Sequence, residues 1–147
     1  SYEAQVVIDQ DNVSLVGAGE TATTIVSPAS MTEYFTLGND RYPVIFVNGA
    51  TGVAISDLTV DGAGQGNTNN SFMGIAFWNG GGTVTDCDVI GIRDTPFSGA
   101  QHGVGIYASN DDGGPYTVDL TDTDVYDFQK TAIAGTAMQA ERTPEER

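Results

Sequence analysis

The sequence predicts an all-β fold, a parallel β-helix (a solenoid) of about four to five coils with a short C-terminal tail. Three observations carry this. A template of aliphatic, Ser/Thr, Asp, any, any, Val recurs at Ile55–Val60, Val84–Val89 and Leu120–Val125, at steps of 29 and 36 residues. Short strands with a central isoleucine recur between the copies, at Ile45, Ile75, Ile106 and Ile133, at steps of 30, 31 and 27. These segments alternate with period two rather than placing apolar residues at i, i+3, i+4 and i+7, which excludes helical repeats of similar period.

The elements follow in chain order. Val6-Val7-Ile8 is a short apolar strand. Asn12 to Gly19 alternates and ends in glycines that permit a tight turn. Thr24-Ile25-Val26 is the next strand, stopped by Pro28. Residues 28–43 show no period and read as a long loop, with Tyr34-Phe35 packed back on the body. From Val44 each unit pairs an isoleucine strand with an Asp-template strand, joined by polar, glycine-rich turns. Stacked coils would place Ile45, Ile75, Ile106 and Ile133 in one internal column. Ile55, Val84 and Leu120 would form a second, Val60, Val89 and Val125 a third, and Leu58, Cys87 and Thr123 a fourth. Residues 136–147 break the pattern and read as a short helix or frayed tail that caps the last coil. The expected division is therefore a domain over 1–135 and a tail or terminal cap over 136–147.

Composition narrows the function. Twenty acidic and five basic side chains give a formal charge of −15, and no basic stripe exists to meet phosphates, so nucleic acid is excluded as a partner. No apolar run approaches the length of a membrane span. No basic start followed by an apolar core is present, and a secretory leader is expected to have been removed. The single cysteine, Cys87, forms neither an internal disulfide nor a zinc site. It replaces Leu58 in the repeat and reads as a buried thiol.

Four constellations could carry chemistry. Asp57, Asp86 and Asp122 fall at equivalent positions and form a ladder. Carboxylates about 5 Å apart repel by roughly 3 kcal/mol per pair at an effective dielectric of 20. Either hydrogen bonds from turn amides or a bound cation should offset this. Asn110-Asp111-Asp112-Gly113-Gly114 has the oxygen density of a calcium loop without the EF-hand spacing. Asp111 and Asp112 are thus the metal candidates and calcium the candidate cation; no cofactor is required. Arg93, Asp94 and His102 leave the repeat after the second template, with Asn67, Asn69 and Asn70 on the same side of the preceding coil. Together with Asp127 they are the candidates for acid–base catalysis. Phe46, Trp78 and Tyr107 face outward if the isoleucines face inward. With the three asparagines they form a surface that could stack on sugar rings or meet another subunit, unless the 28–43 loop or the tail covers it.

The stretches VSLVGAG (13–19), VAISDLTVDG (53–62), GTVTDCDVIGIRDTPF (82–97), QHGVGIYA (101–108) and VYDFQKTAI (125–133) resemble the right-handed parallel β-helix, or pectin-lyase-like, superfamily. They are most similar to its uncharacterised bacterial secreted and surface repeat proteins. The resemblance implies a right-handed coil, a secreted or cell-surface location, and a polysaccharide or protein partner. CDVIGIRDTPF also resembles a pectin methylesterase stretch in which Asp94 would be the catalytic acid. Arg93 stands where that family has Gln, and Pro96-Phe97 where it has Leu-Tyr. Only Asp127-Phe128 matches its second motif.

The first functional expectation is a non-catalytic secreted or surface module binding a glycan or a protein partner. The alternatives are a polysaccharide-active enzyme (esterase, lyase or hydrolase-like) or a degenerate relative centred on Arg93, Asp94 and His102, and a structural spike or filament segment. Open terminal edges further predict a homo-oligomer or membership of a longer chain.

Overall fold

The computed structural model describes residues 1–32, 34–37, 39–136 and 139–142. Among these the chain forms thirteen strands. They are β1 (Tyr2–Glu3), β2 (Val6–Ile8), β3 (Ser14–Val16), β4 (Thr24–Val26), β5 (Phe35–Leu37), β6 (Asn39–Asn48) and β7 (Val53–Asp61). A 3-10 turn at Gln65–Thr68 precedes β8 (Phe72–Trp78), β9 (Gly82–Ile90), β10 (Val104–Ser109), β11 (Thr117–Tyr126), β12 (Thr131–Thr136) and β13 (Gln139–Arg142).

From β6 onward the strands alternate between two sheets. One runs β1-β4-β7-β9-β11-β13, with β3 also on β7; the other runs β12-β10-β8-β6-β2. Every pairing is parallel except the β5–β6 hairpin. A parallel neighbour requires a long crossover. Here the crossover is the strand of the opposite sheet, so each sheet supplies the other's connections.

The registers match the repeat. Val6, Ile45, Ile75, Ile106 and Ile133 are successive partners in the second sheet. In the first sheet Leu15, Ile55, Val84 and Leu120 align, as do Ile25, Val60, Val89 and Val125. These columns meet in one core in which Ile45, Ile55, Val60, Ile75, Val84 and Val89 are all fully buried. Burying such a side chain contributes about 1.5–3 kcal/mol before chain entropy is set against it.

The Leu58–Cys87–Thr123 column closes with a hydroxyl in the core. Thr123 donates to the Thr121 carbonyl at 2.9 Å or the Val84 carbonyl at 3.2 Å, so the buried hydroxyl is satisfied. Burial pushes the Cys87 thiol up to about 11. It is a packing residue, held as the neutral thiol. At Gly82 an added Cβ would lie 1.9 Å from the Val53 carbonyl oxygen, so the turn into β9 admits only glycine.

Two expectations are corrected. The stretch 28–43 is not one long loop: β5 folds back on β6, which already begins at Asn39 and carries Pro43 within it. Proline is tolerated there because β2 pairs only with residues 45–47, leaving β6 unpaired on that side at residue 43. In the tail, Gln139–Arg142 forms neither helix nor frayed end. It pairs in parallel with Thr117–Leu120 and extends the first sheet by one strand. A free parallel edge on β11 offers backbone bonds that polar residues such as these can take as well as apolar ones. Residues 143–147 lie outside the described residues.

Candidate functional site

The Asp template has a backbone reason. Asp57, Asp86 and Asp122 adopt φ values of +58°, +51° and +45°. Each interrupts its strand with one left-handed residue, a conformation that Asp and Asn accept more readily than other non-glycine residues. The chain turns a corner there, which swings Leu58, Cys87 and Thr123 into the core. The expectation that turn amides cap these three carboxylates does not hold: none of them has a hydrogen bond among the described residues. They line an open groove of about 570 Å³ with Gly19, Glu20, Thr21 and Asp124. Asp86 and Asp122 are exposed and Asp57 half-exposed, so water screens their repulsion toward about 1 kcal/mol rather than 3. The crowding is still felt. Asp88, Asp124 and Asp86 raise the Glu20 carboxyl, with Asp88 the largest cause. Desolvation first, then Asp124, raises Asp88. Glu20 reaches this groove from the 17–21 turn, and nothing in its local sequence marks it.

The loop joining β9 to β10, residues 91–103, gathers the expected catalytic set. The preceding coil binds it through backbone bonds from Gly64 to Gly91 and from Gly66 to Arg93, each 2.9 Å. Asn67 Oδ1 accepts the Thr95 amide at 2.8 Å. The following coil is bound by Arg93, whose Nε donates to Asp127 Oδ1 at 2.7 Å. The same guanidinium reaches the Asp94 carbonyl at 3.0 Å and Thr95 Oγ1 at 3.1 Å, and sits 4.9 Å from the centre of the Phe97 ring.

Asp94 and His102 are brought together, but inside the protein, 4% and 6% exposed. Ser98 Oγ donates to Asp94 Oδ2, and Gln129 Nε2 reaches the same oxygen at 3.3 Å. His102 Nε2 lies 3.0 Å from Asp94 Oδ1, a close pair whose angle departs from a directed hydrogen bond. The Phe72 amide donates to His102 Nδ1 at 3.4 Å, which places the proton of a neutral imidazole on Nε2, facing the carboxylate. Burial alone raises the Asp94 carboxyl. Ser98, Gln129 and His102 together outweigh it, and the net direction is downward. Among the described residues the serine bonds the carboxylate and not the imidazole, so the pairing is Ser–Asp rather than Ser–His. Ser98 and Gln129 carry no motif and become legible only when the loop and β12's approach are seen together.

The remaining candidates separate. Asn69 is 1% exposed and structural: its amide accepts the Met31 N–H at 2.9 Å and donates to the Gln65 carbonyl at 2.9 Å. Asn70 lines a shallow polar groove with Asn39, Asp40 and Tyr42, away from Asp94. Asp112 is spent within its own turn, accepting the Gly114 amide at 2.8 Å and the Tyr116 hydroxyl at 2.7 Å, while Asp111 is exposed beside it. Among the described residues no three His, Cys, Asp or Glu side chains group in a way that could hold a metal ion.

The aromatic surface is covered. Phe46 and Tyr107 are 2% and 6% exposed and Trp78 is partly buried. Phe35 stands 5.1, 4.8 and 6.2 Å from the Phe46, Trp78 and Tyr107 ring centres, and Tyr34 stacks on Phe46 at 5.5 Å. Phe46, Trp78 and Tyr107 thus form a second core beneath the β5 hairpin, which removes them as an open stacking platform. Among the described residues no helix is long and apolar enough to cross a membrane. Comparison with family models, with curated proteins and with solved structures returns no match.

Proposed function

We propose that the two alternating sheets are faces of a right-handed parallel β-helix of the pectin-lyase-like kind. We further propose that the chain serves as a non-catalytic, secreted or surface-exposed module that binds a glycan or a protein partner. The observation carrying this reading is the state of the Arg93–Asp94–His102 cluster. Its charged groups are occupied by partners from the adjacent coils, and its acid and imidazole are buried. Groups so spent fasten a loop; a general acid needs a free path to the proton it transfers. The acidic groove on the first sheet bears on the ligand. Its carboxylates repel uronates and other polyanions, which favours a neutral or cationic partner.

A polysaccharide-active site is the second reading, and the proximity of Asp94, Ser98 and His102 favours it. Binding and turnover on neutral, amino-sugar and uronate polymers, with the parent protein and Asp94→Ala, separate the two. The non-catalytic reading expects no turnover by either protein, retention on a neutral or amino-sugar polymer, and a lower melting temperature for Asp94→Ala. Breaking a buried, hydrogen-bonded pair costs about 3–5 kcal/mol. Turnover by the parent that Asp94→Ala abolishes while still folded overturns it.

A further inference from the structure

Of the five exposed large hydrophobic side chains among the described residues, three lie on the first strands: Tyr2, Val7 and Val16. Tyr2 and Val16, with Val6, Leu15, Ile25 and Leu58, line an apolar cavity of about 610 Å³. This is the core seen end-on. β2 pairs only with β6, and β3 only with β7, so their outer backbone edges are free within the described residues. At the opposite end, among the described residues, β12 pairs only with β10, and β13 only with β11.

We propose that the apolar first-strand end takes the β12–β13 end of a second copy, so that copies stack head to tail. Direction supports this. A copy stacked the same way brings β12 alongside β2 in parallel and continues the column from Ile133 to the next Val6. Charge selects it over an end-to-end dimer. Residues 1–32 hold Glu3, Asp9, Asp11 and Glu20 and no basic side chain, whereas after residue 129 three basic side chains (Lys130, Arg142 and Arg147) offset three acidic ones (Glu141, Glu145 and Glu146). Two first-strand ends would oppose acid to acid; head to tail does not. Such a contact is heterologous and does not close on itself, so it propagates. It is independent of what the module binds elsewhere.

Sedimentation velocity from micromolar to millimolar protein tests it. The expected result is a mean size that grows with concentration without stopping at a dimer. Val16→Asp, at an exposed position where circular dichroism should report an unchanged fold, should raise the concentration needed for association at least tenfold. Lys130→Glu at the other end should do the same without touching the apolar cavity. Val16→Asp retains a competent β12–β13 end, so added in small proportion it should terminate stacks and reduce the mean size of the parent protein. A monomer throughout, a dimer that grows no further, or association unaffected by both variants overturns the proposal.

Discussion

At the residue scale, the informative side chains are those whose backbone is constrained. Asp86 occupies a left-handed conformation in the middle of the central copy of the repeat. That conformation costs most non-glycine residues about 1–2 kcal/mol, and Asp or Asn less. Asp86→Asn keeps the local tolerance and removes one charge from the acidic groove, so its stability in urea should equal or slightly exceed the parent's. Asp86→Val should lose about 1–2 kcal/mol. Equal losses for the two variants would show that the carboxylate, and not the backbone, is what the position needs.

At the scale of elements, the β5 hairpin and the 91–103 loop have parallel roles. Each lays an irregular segment across regular strands and is held by a few side chains. Phe35 carries the first, touching three aromatic rings contributed by three strands. Phe35→Ala should cost about 3–5 kcal/mol if the hairpin is integral to the fold. The fluorescence of Trp78, the one tryptophan, should shift toward that of a solvated indole. An unchanged emission would mean that the hairpin does not cover the strip in solution. The second segment is carried by Arg93 and Asp94, whose partners lie in the adjacent coils. Motif reasoning finds the Arg-Asp pair and the nearby His, but their neighbours are invisible in one dimension. Gln129 is 35 residues from Asp94 and Phe72 is 30 from His102.

At the scale of the molecule, the charge imbalance sets the response to pH and salt. Glu20 and Asp88 have folded-state carboxyls raised above their ordinary values of 4.5 and 3.8. The folded protein therefore holds these protons more tightly than the unfolded chain, and ionising them is destabilising. Lowering the pH through their raised values relieves that cost. Asp94 is shifted the other way, so its stabilisation is present above the unfolded value and lost as pH falls through its lowered one. Melting temperature should rise as the pH is lowered from 7 into the range where Glu20 and Asp88 take up protons, and fall once the pH drops below the ordinary value of Asp94. At pH 7, added sodium chloride should raise it by screening the groove. Calorimetry across pH and salt checks this; a melting temperature that drops steadily from pH 7 downward would contradict it.

The sequence by itself determined the strands of the repeat, their register and the core columns. Repetition writes those contacts directly: equivalent positions in successive copies become neighbours, so periodicity alone aligns Ile45 with Ile75 and Val60 with Val89. The hairpin form of the 28–43 segment, the tail strand on β11, the acidic groove closed by Glu20 and the partners of Asp94 were decided only by the tertiary structure. These contacts join segments outside the repeat to positions within it. No spacing specifies them; they follow from which buried polar groups and apolar faces remain unsatisfied once the sheets have formed.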